Sequence, residues 1–208
     1  MGYYSNIRPE MLEFVPMNGR KILEVGCGEG IFGETLIRRQ NAEVWGVESN
    51  PVATDIAIKR LSRVINGEFG EMSMLPKSYF DCIIFNDVLE HMYDPWNALA
   101  FARTLLNSPE AVIVASIPNF RYWHNLVEIV IQKEWTYKDE GTLDRTHVRF
   151  FTCESIKSLF NQAGLKIRTI RGINPTESRK LRLLDFLLRG AVSDMRFLQF
   201  AVVASSST

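Results

Sequence analysis

The chain has 208 residues, of which 46% are hydrophobic and 23% are charged, the balance of an ordinary folded domain. Lys plus Arg and Asp plus Glu number 24 each, so no net charge draws the whole surface toward nucleic acid or an anionic membrane. Composition therefore predicts a single domain over residues 1–208 and argues against a nucleic-acid-binding protein.

The cysteines and the apolar runs bear on the compartment. Cys27, Cys82 and Cys153 are far apart and form no CxxC pair, so they indicate neither a zinc site nor a disulfide framework. No apolar run approaches the roughly 18 residues that span a bilayer, and the N-terminus lacks a signal-peptide pattern. We therefore expect a cytoplasmic protein without a transmembrane segment.

Strands alternate with helices from the first third of the chain onward. A short apolar run predicts a strand at residues 21–25, and residues 31–39 have helical spacing. A second strand is predicted at residues 43–47. Asn50 then caps a helix that Pro51 opens, because Asn accepts backbone N–H bonds and Pro suits the first helical position.

The remaining elements continue this alternation. They are a weak strand at 63–66, a buried strand at 81–85, a helix from 95 that Asp94 caps, a strand at 111–117, a helix from 153 that Thr152 caps, and closing strands at 165–170 and 199–204. The order predicts an α/β fold, a mostly parallel sheet with helices on both faces. Ligands of such sheets bind beyond the carboxyl ends of the strands, so the segments after each strand are the candidate site.

Gly26, Gly28 and Gly30 follow the first strand at alternate positions. Glycine lets the backbone turn sharply and lets a ligand approach closely, while the following helix N-terminus offers N–H groups to an anion. Residues 28–33 also match GxGxxG, the dinucleotide fingerprint. The loop alone therefore fits two adenosine cofactors, a dinucleotide and S-adenosylmethionine.

Acidic residues separate these two cofactors. Glu24 lies in the strand, and Glu29 and Glu34 lie in and after the loop. A pyrophosphate is anionic, whereas S-adenosylmethionine carries an ammonium and a sulfonium beside its carboxylate. Glu24 therefore favours S-adenosylmethionine, with backbone N–H groups left for the carboxylate.

Glu48 is the second marker of a cofactor site. It ends the second strand, twenty residues after Gly28, the interval at which an acid accepts hydrogen bonds from both ribose hydroxyls. Ser49 follows it and is included in the predicted site. This marker supports any adenosine cofactor.

Residues 22–30, together with Glu48, resemble the first two motifs of the class I S-adenosylmethionine-dependent methyltransferases. Residues 80–91 are similar to the motif of their fourth strand. The chain looks closest to their small-molecule group, which includes the ubiquinone-biosynthesis O-methyltransferases and the methionine-biosynthesis W proteins. The resemblance covers nearly the whole chain.

The resemblance implies a fold and further site residues. It implies a Rossmann-like sheet of seven strands whose last strand is antiparallel and inserted between strands five and six. It also implies that Glu71 and Met72, after strand three, meet the adenine. Asn86, Asp87 and Val88, after strand four, would lie against the methionine part of S-adenosylmethionine.

Two other functions compete with methyl transfer. An NAD-dependent dehydrogenase would normally need a second, substrate-binding domain, and the predicted sheet uses up the chain. A non-catalytic module would keep the cofactor pocket without transferring methyl groups. Binding of S-adenosylhomocysteine against binding of NAD separates the first of these from a methyltransferase.

His91 and His147 are the candidate catalytic residues, since methyl transfer to a hydroxyl needs a proton acceptor and His titrates near neutral pH. The alternatives are a packing role for His91 and a loop held by ion pairs for His147. Three scattered histidines give no basis for a metal site, and none is predicted. The acceptor is expected to be a small molecule, whether a phenol, a sugar or a lipid-linked hydroxyl.

Two segments flank the predicted acceptor pocket. Residues 121–143 carry aromatic side chains around an apolar stretch, which predicts a lid; core packing or a dimer surface is the alternative. Residues 179–197 mix Arg and Lys with Leu and Phe, which predicts an amphipathic helix. That helix either packs on the domain, contacts a partner or rests peripherally on a membrane surface. A monomer and a homodimer both remain open.

Overall fold

Seven strands form one sheet within residues 8–206, the part of the chain that the computed structural model describes. The strands are β1 (Lys21–Val25), β2 (Glu43–Glu48), β3 (Arg63–Asn66), β4 (Cys82–Asn86), β5 (Val112–Pro118), β6 (Leu165–Pro175) and β7 (Phe197–Ser206). Their order in the sheet is β3-β2-β1-β4-β5-β7-β6.

The sheet is parallel from β3 to β5, and β7 runs antiparallel to both of its neighbours, β5 and β6. This confirms the predicted Rossmann-like sheet with its last strand antiparallel and inserted. The strand order reverses between β1 and β4. The chain crosses from β1 to β2 toward one edge of the sheet, and from β4 to β5 toward the other edge. A ligand crevice is expected at that point, outside the carboxyl ends of the strands.

Six α-helices lie among the described residues: α1 (Ile31–Gln40), α2 (Pro51–Ala57), α3 (Pro95–Leu105), α4 (Trp123–Leu126), α5 (Cys153–Gln162) and α6 (Arg179–Leu187). The predicted caps are observed. The Asn50 side chain accepts the N–H of Val52 at 2.9 Å, and that of Asp94 accepts the N–H of Asn97 at 3.0 Å. Thr152 forms a reciprocal capping box with Ser155.

The two closing strands are longer than the sequence predicted. β6 continues to Pro175 and β7 begins at Phe197, because each extends an antiparallel ladder with the other. Polar and charged side chains on the exposed part of β6 hid this length from the apolar pattern. The second helix is shorter than predicted, since α2 ends at Ala57 and Leu61 is buried from the turn that follows.

Both faces of the sheet are covered by apolar side chains. In β4, Ile83 and Phe85 belong to the core on one face, and Cys82 and Ile84 to the core on the other. This explains why that strand is a continuous apolar run. None of the helices in residues 8–206 is both long enough and apolar enough to cross a bilayer.

Candidate active site

A cavity of about 960 Å³ opens at the carboxyl edge of the sheet, beside the reversal between β1 and β4. The predicted site residues that line it are Glu24, Gly26, Gly28, Glu48, Ser49, Asn86, Asp87, Val88, His91 and His147. The structure thus brings together residues that lie up to 123 positions apart in the sequence.

The glycine loop takes the turn that only glycine adopts freely. Gly26, Gly28 and Gly30 have φ values of 67°, 53° and 78°. At Gly26 a Cβ atom would lie 2.6 Å from Cγ2 of Val88, so the loop after β1 packs directly on the loop after β4. Gly30 does not line the cavity; a Cβ there would meet Leu61 at 3.0 Å, so this glycine serves helix packing.

The structure places Glu71 and Met72 away from the cavity lining. They lie in a short 3-10 helix, Glu71–Ser73, and Met72 is 93% exposed. Their contact with adenine stays a prediction that the resemblance alone supports.

Glu48 is tied to the backbone on both sides. Its Oε2 accepts the N–H of Gly28 at 2.8 Å, and its Oε1 accepts the N–H of Asn50 at 2.8 Å. These two bonds hold the buried carboxylate in a fixed orientation. Because each carboxylate oxygen has a further lone pair, Glu48 can still accept hydrogen bonds from ribose hydroxyls.

The backbone N–H groups of the glycine loop are largely used within the protein. Those of Gly26 and Cys27 donate to the carbonyl of Val47 at 2.8 and 3.2 Å, and that of Gly28 donates to Glu48. The N–H groups expected to meet the cofactor carboxylate are therefore not these three. The N–H groups at the start of α1 are left for it, together with any cationic group in the cavity wall.

Arg8 is such a group, and sequence reasoning missed it. It is the lone Lys or Arg among the described residues that line the cavity, and its side chain is buried. Its guanidinium pairs with Asp87, donates to Gln199 at 3.1 Å and to Glu10 at 2.8 Å. No local pattern marks Arg8, since it precedes the first strand and only the fold carries it to the cavity.

Carboxyl groups dominate the rest of the lining. They belong to Glu10, Glu24, Glu48, Asp87, Glu90, Asp139, Glu140 and Asp144. Such a surface attracts a sulfonium and an ammonium and repels a pyrophosphate. The charge of the whole cavity therefore favours S-adenosylmethionine over a dinucleotide, as Glu24 alone indicated from the sequence.

Glu24 is 3% exposed, and its Oε2 atom has no hydrogen-bond partner among the described residues. Burial raises the pKa of Glu24 to about 8, the N–H of Gly33 lowers it less, and the charge of Glu48 raises it further. A buried carboxyl group beside the glycine loop with one oxygen unpartnered is suited to a ligand that brings a positive charge.

The loop after β4 is strained and only partly satisfied. Asp87 has φ 55°, and its Oδ1 accepts from Ser116 Oγ at 2.9 Å and from Gln199 Nε2 at 2.8 Å. The side-chain amide of Asn86 is buried with neither its nitrogen nor its oxygen bonded within residues 8–206. Because buried polar groups are normally hydrogen-bonded, an amide in the cavity wall whose nitrogen and oxygen are both unpartnered is suited to bind a polar ligand.

His91 and His147 are neighbours in space. Their rings lie 4.7 Å apart, and Nε2 of His147 lies 3.9 Å from Oε1 of Glu90. The interpretation of the histidines as scattered is wrong for this pair, because the segment after β5 folds back over the end of β4. Backbone N–H groups of Val148 and Arg149 donate to the Glu90 carbonyl at 2.9 and 3.0 Å and fix this fold.

The ionisation of this cluster is set by burial. Burial lowers the pKa of His147, and the positive charge of His91 lowers it further; burial likewise lowers the pKa of His91. Burial raises the pKa of Glu90 to about 8. One ligand atom from each of the three residues lies within 4.8 Å of the others, a spacing that a divalent cation can bridge. The absence of a metal site therefore stays a prediction, and this geometry makes it one to test by experiment.

The basic residues near His147 do not line the cavity. Arg145 pairs at 2.6 Å with Asp139, which does line it, and Arg149 donates to the carbonyl of Tyr93 at 3.1 Å. Both guanidinium groups are therefore engaged within the protein, and neither forms part of the cavity wall.

The segment 121–143 borders the cavity through its last residues. It contains α4, a π-helical stretch at Val127–Gln132 and an extended part that ends at the lining residues 139–142. Thr142 Oγ1 donates to Asn125 Oδ1 at 2.6 Å, and Lys138 pairs with Glu128 at 2.7 Å, so the segment is bonded to itself. A lid over the acceptor pocket stays a prediction, beside core packing and a dimer surface.

A family model described as a methyltransferase domain matches residues 3–170. The chain belongs to this family. With the glycine loop, Glu48 and the acidic cavity in place, this methyltransferase is a class I enzyme that depends on S-adenosylmethionine, as the motifs predicted. The dehydrogenase and the non-catalytic binding module are set aside.

Curated relatives of this methyltransferase include two O-methyltransferases of ubiquinone biosynthesis. That of Aeromonas salmonicida is 28% identical over 165 residues, which cover 75% of this chain and 67% of the relative. The mitochondrial one of Schizosaccharomyces pombe is 28% identical over 172 residues, which cover 78% of this chain and 61% of the relative. The chain thus spans less than two thirds of the second relative's length.

Solved structures share the fold of this methyltransferase. The S-adenosylmethionine-dependent methyltransferase from Archaeoglobus fulgidus superposes with a TM-score of 0.69 at 18% identity and covers 99% of this chain and 95% of its own. The one from Mesorhizobium loti gives 0.67 at 16% identity and covers 95% and 96%. At these identities the likeness shows the architecture.

Proposed function

We propose that this methyltransferase transfers the methyl group of S-adenosylmethionine in line to a hydroxyl oxygen of a small molecule. The observation that carries the proposal is the single cavity in which the cofactor residues and the His91–His147 pair meet. The oxygen attacks the methyl carbon, the carbon–sulfur bond breaks with its electrons on sulfur, and the hydroxyl proton passes to a base.

The ribose and the methionine part of S-adenosylmethionine each have matching groups in the cavity. Glu48 would accept hydrogen bonds from the ribose hydroxyls, Gly26 and Gly28 would let the cofactor approach the backbone, and Ser49 lies beside them. Arg8 would bind the carboxylate of the methionine part, and Glu24 would balance its ammonium. Asn86, Asp87 and Val88 would border the same part, with the Asn86 amide available to bond to it.

His147 is the proposed proton acceptor. Its Nδ1 lies 3.2 Å from the carbonyl oxygen of Thr142, which only accepts, so the neutral ring carries its hydrogen on Nδ1 and its lone pair on Nε2. The lowered pKa keeps this form populated at neutral pH. His91 packs edge-on against it and disfavours protonation of both rings together.

A neutral acceptor suits the lining better than an anionic one, since carboxylates outnumber the one guanidinium even when Glu24 and Glu90 are protonated. Phenols, sugars and lipid-linked hydroxyls meet this condition. The relatives named O-methyltransferases of ubiquinone biosynthesis support oxygen as the methylated atom. A small-molecule acceptor and a cytoplasmic location are parts of this proposal.

The proposal is tested with S-adenosylmethionine labelled in its methyl group and three acceptor panels, of phenols and catechols, of free sugars and of lipid-linked alcohols. We expect label in the organic product of one panel and S-adenosylhomocysteine in equal amount. Label transferred to a nitrogen or carbon atom, or protein that binds S-adenosylhomocysteine yet methylates none of the panels, would contradict hydroxyl methylation.

A further inference from the structure

Helix α6 carries an apolar stripe that faces solvent. Leu183, Phe186 and Leu187 are 61, 80 and 66% exposed, and their spacing places them on one side of the helix. The opposite side holds Leu181, which is buried against the domain. The helix is shorter than the predicted 179–197, since it ends at Leu187. One side of it packs on the protein, and a second, apolar side has no cover from residues 8–206.

Cationic side chains stand at both ends of this stripe. Arg179 and Lys180 precede it by one helical turn, and Arg189 follows it. The neighbouring acids are occupied elsewhere: Glu177 pairs with Arg182 at 2.6 Å, Asp185 accepts the N–H of Val192 at 3.2 Å, and Asp194 pairs with Arg121 at 2.7 Å. Among residues 8–206, no carboxylate pairs with the three cations that flank the stripe.

The topology places α6 at the edge of the sheet where the cavity opens. β6 runs parallel to β5 because both are antiparallel to β7, so its last residues lie at the carboxyl edge. Asn174 of β6 and Gln199 of β7 line the cavity. α6 follows β6 after three residues and is therefore attached to the cavity wall.

We propose that α6 anchors this methyltransferase to the surface of an anionic lipid bilayer. An apolar side flanked by Lys and Arg is the pattern of a helix that lies in the plane of a membrane interface. The apolar side chains enter the acyl boundary, and Arg179, Lys180 and Arg189 meet the lipid phosphates. The balanced charge of the whole chain makes this attraction local to α6.

A bilayer fits this surface better than a second copy of the chain. A stable protein interface buries about 800 Å² on each partner, which three side chains on one short convex helix do not supply. A two-fold contact centred on α6 would also bring the same unpaired cations of both copies together. A membrane of anionic lipids neutralises these cations instead.

The test is sedimentation of the full chain with sucrose-loaded vesicles of phosphatidylcholine alone and of phosphatidylcholine with 30% phosphatidylglycerol. Three proteins are compared: wild type, an α6 variant with Leu183→Gln, Phe186→Gln and Leu187→Gln, and a control with Met17→Gln and Ile58→Gln. The control side chains are 60% and 55% exposed and lie outside α6. Binding of S-adenosylhomocysteine verifies that each protein is folded.

We expect wild type and control to pellet with the anionic vesicles. The α6 variant should bind these vesicles at least about tenfold more weakly. Salt at 0.5 M should release the wild type. The proposal is overturned if the wild type stays in the supernatant, if the α6 variant pellets like the control, or if neutral and anionic vesicles bind equally. A dimer in solution that the α6 variant dissociates, without vesicle binding, would assign the stripe to a second copy. These measurements need no methyl acceptor, so their outcome is independent of the proposed function.

Discussion

Gly26 and Val88 touch so closely that a Cβ atom at position 26 would lie 2.6 Å from Cγ2 of Val88. The contact joins the loop after β1 to the loop after β4, the two adjacent strands between which the sheet order reverses. Gly26 also has φ 67°, a conformation that a residue with a Cβ adopts at a cost.

Gly26→Ala is therefore expected to displace the loop after β4 and to destabilise the protein by about 2–4 kcal/mol, the combined cost of the unfavourable φ and the overlap. Thermal unfolding and titration with S-adenosylhomocysteine measure the two effects. Gly70→Ala is the control, because its backbone is extended and no atom lies within 4 Å of the added Cβ. Equal behaviour of the two variants would show that the Gly26–Val88 contact does not matter.

Glu48→Gln should weaken binding of every adenosine ligand by about 10- to 100-fold, since hydrogen bonds to a charged group contribute roughly 1.5–3 kcal/mol. The side-chain NH₂ group of the introduced glutamine would also face a backbone N–H whose hydrogen bond Glu48 accepts in the wild type. Calorimetry with S-adenosylhomocysteine and with 5′-methylthioadenosine measures the effect. Asp55→Asn, an exposed change on α2, should leave both affinities unchanged.

Arg8→Met should affect the two ligands unequally. 5′-Methylthioadenosine has the adenosine part without the amino acid, so its affinity should stay near the wild-type value. S-Adenosylhomocysteine should lose about 10-fold or more, because its carboxylate loses a charged partner. The exposed change Arg38→Met serves as the control. A uniform loss for both ligands would assign Arg8 to the fold, through Asp87 and Gln199, and not to the carboxylate.

Glu24 should make stability fall with rising pH. Its pKa is raised from 4.5 to about 8 in the folded protein, so the folded state keeps a proton that the unfolded state releases. The free energy of unfolding therefore declines as pH rises through the interval between these values and stays low above it, by up to several kcal/mol. Glu24→Gln should be more stable than wild type at pH 8.5 and similar at pH 4, as measured by urea unfolding.

The same group links cofactor binding to proton release. The ammonium of S-adenosylhomocysteine favours ionised Glu24, so binding at pH 7 should release a proton. Calorimetry in buffers with different ionisation enthalpies detects this release, and Glu24→Gln should reduce it and weaken binding. Because Glu90 also has a raised pKa, the difference between wild type and variant is the quantity that reports on Glu24.

His147→Ala should lower kcat by about 10²–10⁴-fold on the true acceptor and leave the affinity for S-adenosylhomocysteine unchanged. His124→Ala is the matched control, since His124 is exposed and does not line the cavity. Turnover that is lost on addition of EDTA and restored by Mg²⁺ would instead show that Glu90, His91 and His147 hold an ion.

The predictable parts of this protein are those with local signals. Helix starts followed from Asn50, Asp94 and Thr152, whose side chains bond to N–H groups two or three residues on. The glycine loop and Glu48 followed from a spacing within one βαβ unit. These features depend on short stretches of sequence, so the fold and the glycine-loop side of the candidate site could be predicted from the sequence.

The remainder depends on contacts between distant segments. Arg8 reaches Gln199 across 191 positions, and no pattern near either residue marks them. Glu90 lies in the fourth-strand motif at residues 80–91, but its burial against His147 arises only when residues 142–149 fold over β4. The pKa values that give these groups their chemistry follow from that burial, which the sequence does not state.

The insertion of β7 between β5 and β6 has a consequence for synthesis on the ribosome. Gln199, which bonds to both Arg8 and Asp87, sits on the last strand of the described chain. A nascent chain that has exposed the glycine loop and β4 still lacks the middle of its sheet and one wall of its cavity. Capture of S-adenosylmethionine should therefore wait until β7 has left the exit tunnel and has completed the middle of the sheet.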